Sequence, residues 1–189
     1  MKYKIIALAI PLISFGAIPP ASKRMRVAVT RGKIRDVRQC LESGETPLRT
    51  WQRGGMTPLM VAVKWNKTEI AQLFTTIQLE EQAKLQNVSG QTPLHFAADA
   101  GNIPIISALI DAHAVIDHKD ANGIPPLFAA VKGSQTHNKP EHILAIKLLL
   151  EAGAHPKQYD QKMWDLVTNT QNQEVIELLA PYFTKRKIG

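Results

Sequence analysis

Cysteine is almost absent from this 189-residue sequence, in which Cys40 is the only one. A lone cysteine cannot form a disulfide within the chain, and it excludes a zinc site built from several thiolates. Cys40 lies in the apolar run of residues 37–41, where we expect it to pack in the core. A reactive thiol and a disulfide to another chain are the alternatives that the sequence leaves open.

Long hydrophobic runs are also scarce, and the one at residues 5–13 is too short for a comfortable membrane span. It follows Lys2 and Lys4, and a basic start before a short apolar run is typical of a secretory signal peptide. We predict this signal peptide over residues 1–21, with cleavage after Gly16 or, alternatively, after residue 17 or 21. An uncleaved membrane anchor and a buried capping helix are the competing interpretations.

Cleavage would leave no stable membrane span, and export would place the protein in a bacterial periplasm or outside the cell.

Prolines at positions 11, 19 and 20 disfavour a capping helix, because proline lacks the amide hydrogen that a helix interior needs. No cysteine follows the apolar run closely, so a lipoprotein anchor has no support.

Acidic residues are fewer than basic ones, 16 against 23, which gives a formal net charge of +7. An excess of this size permits attraction to acidic proteins, nucleic acid or anionic lipid without choosing among them. The cations crowd residues 23–38 and the tripeptide 185–187, with no recognition motif and no stacking aromatics between them. A solvated capping face is the favoured interpretation, and no nucleic-acid partner is predicted.

Motifs that carry chemistry are missing too. No serine sits in a Gly-x-Ser-x-Gly elbow, and Gly54-Gly55 is a hairpin turn rather than a phosphate-binding loop. Two histidine pairs, His113 with His118 and His137 with His142, have no Glu or Cys at metal-ligand spacing beside them. The sequence therefore predicts no catalytic residues, no metal site, no cofactor and no enzymatic activity.

A repeated motif is the clearest positive feature of the sequence. Its best copy, residues 90–102, reads Gly-Gln-Thr-Pro-Leu-His-Phe-Ala-Ala-Asp-Ala-Gly-Asn. Thr92 supplies a side-chain oxygen at a helix N-cap, Pro93 presets φ at the first helical position, and Gly101 stops the helix after barely two turns. Apolar residues at helical spacing follow over residues 105–110, which predicts a second, antiparallel helix.

Related motifs recur on both sides of this copy. Thr57-Pro58-Leu59 precedes Thr92-Pro93-Leu94 by 35 residues and Pro125-Pro126-Leu127 follows it by 33, a period typical of stacked helical pairs. The spacing, the Thr-Pro-Leu-His sequence, the alanine pair and the Gly-Asn together resemble the ankyrin repeat. The resemblance implies a mainly α solenoid of stacked helix-turn-helix units joined by β-hairpin-like loops, about five units including degenerate caps. It also implies that His95 makes hydrogen bonds between a turn and its neighbour rather than catalysing a reaction.

The ankyrin-like domain is predicted over residues 22–186, with atypical caps at both ends. Its units are predicted at residues 22–50, 51–86, 87–119, 120–156 and 157–186. Asn66 and His113 each stand where a turn glycine is usual, and asparagine tolerates the left-handed conformation. The link at residues 75–86 is expected to extend a second helix or to replace a loop. About seven residues inserted within 132–140 are expected to lengthen the turn between two helices.

The resemblance also implies a concave binding surface, built from hairpin tips and from the ends of the first helices. Carried onto this sequence, its variable positions give a set of predicted partner-binding residues: Arg53, Met56, Lys64, Trp65, Gln91, Asp99, Asn122 and Lys132, beside Val88, Ser89, Ala100, Ala121 and Ile124. Trp65 has the residue type and the basic setting of an interface hot spot. The alternative is that its ring covers the inter-helix turn of its own unit.

The sequence therefore predicts a monomeric, non-enzymatic module that binds a protein partner through this concave surface. A secreted effector acting on a host protein, and an inhibitor or stabiliser of one periplasmic enzyme, are alternative forms of the same function. The framework residues that reveal a repeat are not those that choose its ligand, so the partner stays unidentified at this level.

Overall fold

The structure, a computed structural model, describes residues 23–48, 50–51, 54–137, 140–156 and 161–183, and within these ranges it contains helices and no strands. The predicted signal peptide, residues 1–21, lies outside the described residues. In chain order the helices are α1 Lys23–Arg31, α2 Ile34–Glu42, α3 Pro58–Lys64, α4 Thr68–Thr75, α5 Leu79–Lys84, α6 Pro93–Asp99, α7 Ile103–Asp111, α8 Pro126–His137, α9 Pro140–Glu151, α10 Gln161–Thr168 and α11 Gln173–Phe183.

The helices form two rows. One row contains α1, α3, α6 and α8, each packed on the next, with α10 beside α8; the other contains α2, α4, α7 and α9. Each first helix also packs on the second helix of its own pair. A continuous core runs between the rows and includes fully buried Phe74, Leu94, Ile106 and Phe128. The expected solenoid of stacked helix-turn-helix units is confirmed.

The turn between the two helices has the same geometry in the first three pairs. Gly32, Asn66 and Gly101 adopt positive φ angles of 72°, 51° and 63°. In each pair the amide that follows donates to the carbonyl oxygen five residues earlier, at 2.7 to 2.9 Å. The left-handed turn expected at Asn66 is therefore confirmed, and His113 likewise takes a φ of 56° at its glycine position.

The link at residues 75–86 contains a separate short helix. α4 ends at Thr75, and Gln78 turns the chain with a φ of 45° before α5 begins. The buried side-chain amide of Gln82 donates to the carbonyl oxygen of Phe74 at 2.8 Å, which satisfies a carbonyl at the end of α4. The expectation that this link extends the second helix is wrong, because α4 ends at Thr75 and the Gln82 side chain bonds the carbonyl oxygen of Phe74 near that end. The link replaces a loop instead.

The insertion within residues 132–140 lengthens helices rather than the turn between them. α8 has 12 residues where the equivalent α6 has seven, and α9 has 12 where α7 has nine. The expectation of a longer turn is wrong because the added residues find packing partners. Ser134 and His142 are both buried, and Nε2 of His142 donates to the carbonyl oxygen of Asp99 at 3.0 Å.

Gly133 allows α8 to approach the end of α6 at this point. A β-carbon on residue 133 would overlap the carbonyl oxygen of Asp99 and would lie 2.8 Å from Nε2 of His142. The carbonyl oxygen belongs to the backbone of α6 and cannot rotate away. The close approach of the two helices therefore requires glycine.

His95 joins the third unit to the fourth. Its ring is only 2% exposed, and Nε2 donates to the carbonyl oxygen of Ile124 in the next hairpin at 2.9 Å. The Thr92 amide donates to Nδ1 at 3.1 Å, so Nδ1 accepts and Nε2 carries the proton of a neutral ring. The expected bond between a turn and its neighbour is confirmed. Met60 holds the same place in the second unit, where a thioether cannot donate to the next hairpin.

Gly133→Ala tests the close approach of α8 and α6. Alanine in a helix interior normally stabilises by about 0.5–1 kcal/mol. Here the clash with the Asp99 carbonyl should reverse the sign, and we expect the free energy of unfolding to fall by roughly 1–3 kcal/mol. Urea denaturation measures the change. Lys132→Ala, at the exposed preceding position, should change stability by less than about 0.5 kcal/mol. A more stable Gly133→Ala protein would contradict the contact.

The pH dependence of stability tests the His95 contact. Burial lowers the pKa of His95 below its ordinary value of 6.5, and the bond to Ile124 only partly opposes this. The unfolded state then binds more protons, so the stability that His95 contributes is complete above pH 6.5 and is lost as the pH falls through the lower folded pKa. We expect His95→Gln, which does not titrate, to be about 1–3 kcal/mol less stable near neutrality.

Denaturation at several pH values between about 7 and 5 should give a shallower slope for His95→Gln than for the parent protein. His113→Asn is the control, because His113 is exposed and asparagine tolerates its left-handed backbone. An unchanged slope in His95→Gln, or an equal change in the control, would show that another group carries the pH dependence.

Candidate partner-binding surface

The candidate surface consists of the exposed ends of α3, α6 and α8 together with the hairpin tips between units. α3 and α6 begin in the same way, with threonine at the N-cap and proline next to it. Side chains at the same distance from the proline therefore project in the same direction in both helices. Lys64, Asp99 and Lys132 therefore occupy equivalent positions, and all three are exposed. Positive, negative and positive charges follow one another along the row.

The hairpin tips are held from inside by a side chain at their base. Oδ1 of Asn87 accepts hydrogen bonds from the amides two and four residues ahead, at 2.9 and 2.8 Å. Oδ1 of Asp120 accepts from the corresponding amides of the next hairpin, both at 2.9 Å. An Asx side chain that bonds its own loop in this way fixes the path of the turn.

Neighbouring tips are also bonded to one another. The Val88 amide donates to the carbonyl oxygen of Gly54 at 3.1 Å, and the Ala121 amide donates to that of Ser89 at 2.9 Å. The side chain of Val88 remains 78% exposed at its tip. The tips consequently form a connected backbone row that presents side chains outward.

Most of the predicted partner-binding residues lie open to solvent on this surface: Lys64, Trp65, Asp99, Asn122 and Lys132. Met56 is half-buried and packs against the core. Gln91 is half-buried too, and its side-chain oxygen accepts from the Asn87 amide group at 3.1 Å. Arg53 lies outside the described residues. That these residues bind a partner stays a prediction.

Trp65 is the largest exposed apolar side chain of the candidate surface. It follows α3 as the C-cap residue and is 59% exposed, whereas Trp51 is 7% exposed and belongs to the core. A ring that covered its own inter-helix turn would lose most of its accessible surface. The exposure therefore favours availability to a partner over the covering role.

A cavity of about 370 Å³ opens at the inter-helix turn of the second unit, at Asn66, the residue that follows Trp65 in the chain. It is lined by Asn66 and Thr68 of the second unit, by residues 100–104 of the third and by Glu141 of the fourth. Glu141 belongs to the part of α9 that the insertion adds, so sequence reasoning that placed the insertion in a loop missed it. The length of the insertion was the only available signal, and it carried no information on conformation.

Metal ligation and the reactivity of Cys40 can both be judged from the described residues. No three His, Cys, Asp or Glu side chains are placed to hold a metal ion in the described part of the chain. Cys40 is fully buried, and burial together with Glu45 raises the pKa of its thiol, which disfavours the reactive thiolate. The expected core packing of Cys40 is confirmed. Among the described helices, none has the length and apolar character that a membrane crossing requires.

Comparison with known proteins agrees with this architecture. A family profile described as ankyrin repeats in three copies matches residues 74–160. The chain is 29% identical over 108 residues to ANK repeat-containing protein nipk-1 of Caenorhabditis elegans, which covers 54% of this chain and 18% of that protein. It is 31% identical over 100 residues to zinc finger CCCH domain-containing protein 47 of Arabidopsis thaliana, covering 51% and 17%. The chain thus spans less than a fifth of the length of either relative.

Ankyrin repeats indicate a protein–protein interaction module, and the family is typically non-enzymatic. The matched range contains α5 to α9, which include the His95 contact and the bonded hairpin tips. Stacked helix pairs, left-handed inter-helix turns and the matching family profile agree with one another: residues 74–160 of this chain are ankyrin repeats.

Proposed function

We propose that this chain is an exported, monomeric and non-enzymatic module that binds a protein partner on the candidate surface, with Trp65 at the centre of the contact. The observation that carries the proposal is the 59% exposure of that ring at the end of α3. Removing a tryptophan from water on binding is strongly favourable, and tryptophan is enriched among the residues that dominate interface energies.

The charged residues near Trp65 follow a fixed order along the candidate surface. Lys64 stands next to it, and Asp99 and Lys132 follow at the equivalent positions of the next two units. A partner with the complementary order of charges would be held in one register, because electrostatic complementarity contributes specificity more than raw affinity. The bonded hairpin tips favour the same outcome, since pre-ordered backbone loses little entropy on binding.

Export is proposed on the basic and apolar character of residues 1–21. In a bacterial periplasm the partner would be one exported enzyme that the module inhibits or stabilises, and a stoichiometric complex with that enzyme would favour this form. For a protein released from the bacterium, the partner would be a host protein. Recovery of the chain outside the producing cell would favour this second form.

Crosslinking from position 65 tests the binding proposal. A photo-reactive amino acid placed there in the native cell should trap one protein. Position 144 is the matched control, because Leu144 is also an exposed apolar residue, 53% accessible, but lies on α9 in the other helix row. The protein so identified should bind Trp65→Ala about 10-fold or more weakly than the parent, and Leu144→Ala with unchanged affinity. Equal trapping at both positions, or equal affinity of both variants, would contradict the proposal.

The intact mass of the protein in fractionated cells tests the export proposal separately. Cleavage after Gly16 should yield a chain that begins at Ala17 in the periplasmic or extracellular fraction. Full-length protein found only in the cytoplasm would contradict export while leaving the binding surface unaffected.

A further inference from the structure

The formal charge of this chain is distributed very unevenly. Residues 23–42, which contain α1 and α2, have seven Lys and Arg against two Asp and Glu, a net charge of +5. Residues 43–189 have 14 of each sign and are formally neutral. A charge concentrated at one end of a molecule attracts anions to that end and orients the molecule as it approaches them.

The seven cations of α1, α2 and the turn between them are exposed: Lys23, Arg24, Arg26, Arg31, Lys33, Arg35 and Arg38. The acidic residues of the same range are Asp36, which is half-buried, and Glu42, which is exposed. Cations therefore outnumber carboxylates on the surface of α1 and α2, where an external anion can reach them.

Four of these arginines point to the same side of the unit. Arg24 and Arg31 are seven residues apart and lie on one stripe of α1. Arg35 and Arg38 lie on one stripe of α2 together with Gln39 and the exposed Glu42. Arg24 donates a hydrogen bond to Oε1 of Gln39, which places the two stripes side by side. We call this side, with Lys33 in the turn between the helices, the basic face.

Among the described helices, the basic face is at the uncovered end of the solenoid. α1 packs on α3 and α2 packs on α4, while Met25, Val29 and Val37 turn inward and are fully buried. No other described helix packs against the opposite side of the unit to any comparable extent. The end repeat thus presents a charged surface where each inner repeat presents an apolar one to its neighbour.

The residue composition of the basic face favours one class of partner over the others. The large apolar side chains exposed in the described chain are Trp65, Val88, Val115 and Leu144, all outside the first unit. Protein interfaces gain most of their binding energy from aromatic and apolar anchor residues. Proteins that bind single-stranded nucleic acid stack the bases on aromatic rings. α1 and α2 contain no Phe, Tyr or Trp. Anionic headgroups, in contrast, present diffuse negative charge that requires only clustered cations.

We infer that the basic face docks the first unit on the surface of a bilayer that contains anionic phospholipids. Before cleavage, the apolar run at residues 5–13 would engage a membrane during export, and α1 begins only nine residues after that run, so the first unit is the part of the domain that follows it directly in the sequence. The candidate surface belongs to the second, third and fourth units, so this docking is independent of the protein partner and leaves that surface to it.

Vesicle sedimentation with the full chain tests the inference. Phosphatidylcholine vesicles with roughly 30% phosphatidylglycerol should bind the protein in about 0.1 M NaCl and release most of it in about 0.5 M NaCl, because salt screens exposed charges. Pure phosphatidylcholine vesicles record any binding through the apolar run alone and should bind much less. Equal binding to both kinds of vesicle would overturn the inference.

Arg35→Gln/Arg38→Gln removes two charges of the basic face without touching the bond between Arg24 and Gln39. Each cation near an anionic surface contributes about fivefold in affinity, so the pair should weaken binding by roughly 25-fold. Lys84→Gln/Lys119→Gln is the matched control, with the same loss of charge at exposed positions that are not predicted partner-binding residues, and it should bind to the vesicles like the parent protein. Circular dichroism on heating checks that both variants fold.

Equal weakening in the two variants would overturn the inference, because net charge and not the basic face would then decide binding. Tighter binding to duplex DNA than to the anionic vesicles at the same salt concentration would overturn the lipid assignment in favour of a phosphate backbone. If the arginine variant fails to fold, the salt dependence of the parent protein on the two kinds of vesicle still decides the question.

Discussion

Stacking between neighbouring helix pairs is the interaction on which this structure depends, because helices of seven residues such as α3 and α6 cannot bury their own apolar faces. Each unit covers the core side of the next, and polar contacts set the spacing between them. His95 bonds the hairpin of the fourth unit, and backbone amides join adjacent hairpin tips. A buried ring between two polar partners would be destabilising if either were lost, so these contacts determine the register of stacking.

Stacking also determines which side chains are left for function. The first helices start in the same phase, so equivalent positions of successive units come out on one surface, as for Lys64, Asp99 and Lys132. The insertion changes this surface locally. Its residues extend α8 and α9 over the turn of the third unit and bring Glu141 to the cavity that Asn66 and Thr68 of the second unit also line. A scaffold residue, Gly133, makes that extension sterically possible.

The two ends of a stack face a different requirement from its middle. An inner unit is covered on both sides, whereas the first unit has one side exposed to water and must be polar there to keep the chain soluble. In this chain the requirement is met almost entirely with cations, since residues 23–42 carry +5 and the remainder after them is neutral. Solvation of the cap and attraction to an anionic surface therefore arise from the same side chains.

The sequence by itself determined the repeat, its turns and the role of His95. The Thr-Pro-Leu motif, the small residues of the first helices and the turn residues at 32, 66 and 101 act locally, so spacing alone predicts them. Only the tertiary structure decided the features that depend on contacts with neighbouring elements. Met56 is half-buried because it packs against the core, and the insertion is helical because its added residues pack against the end of α6 at Asp99. The spacing of the repeats shows how many residues are inserted, but it does not show the surface against which those residues pack.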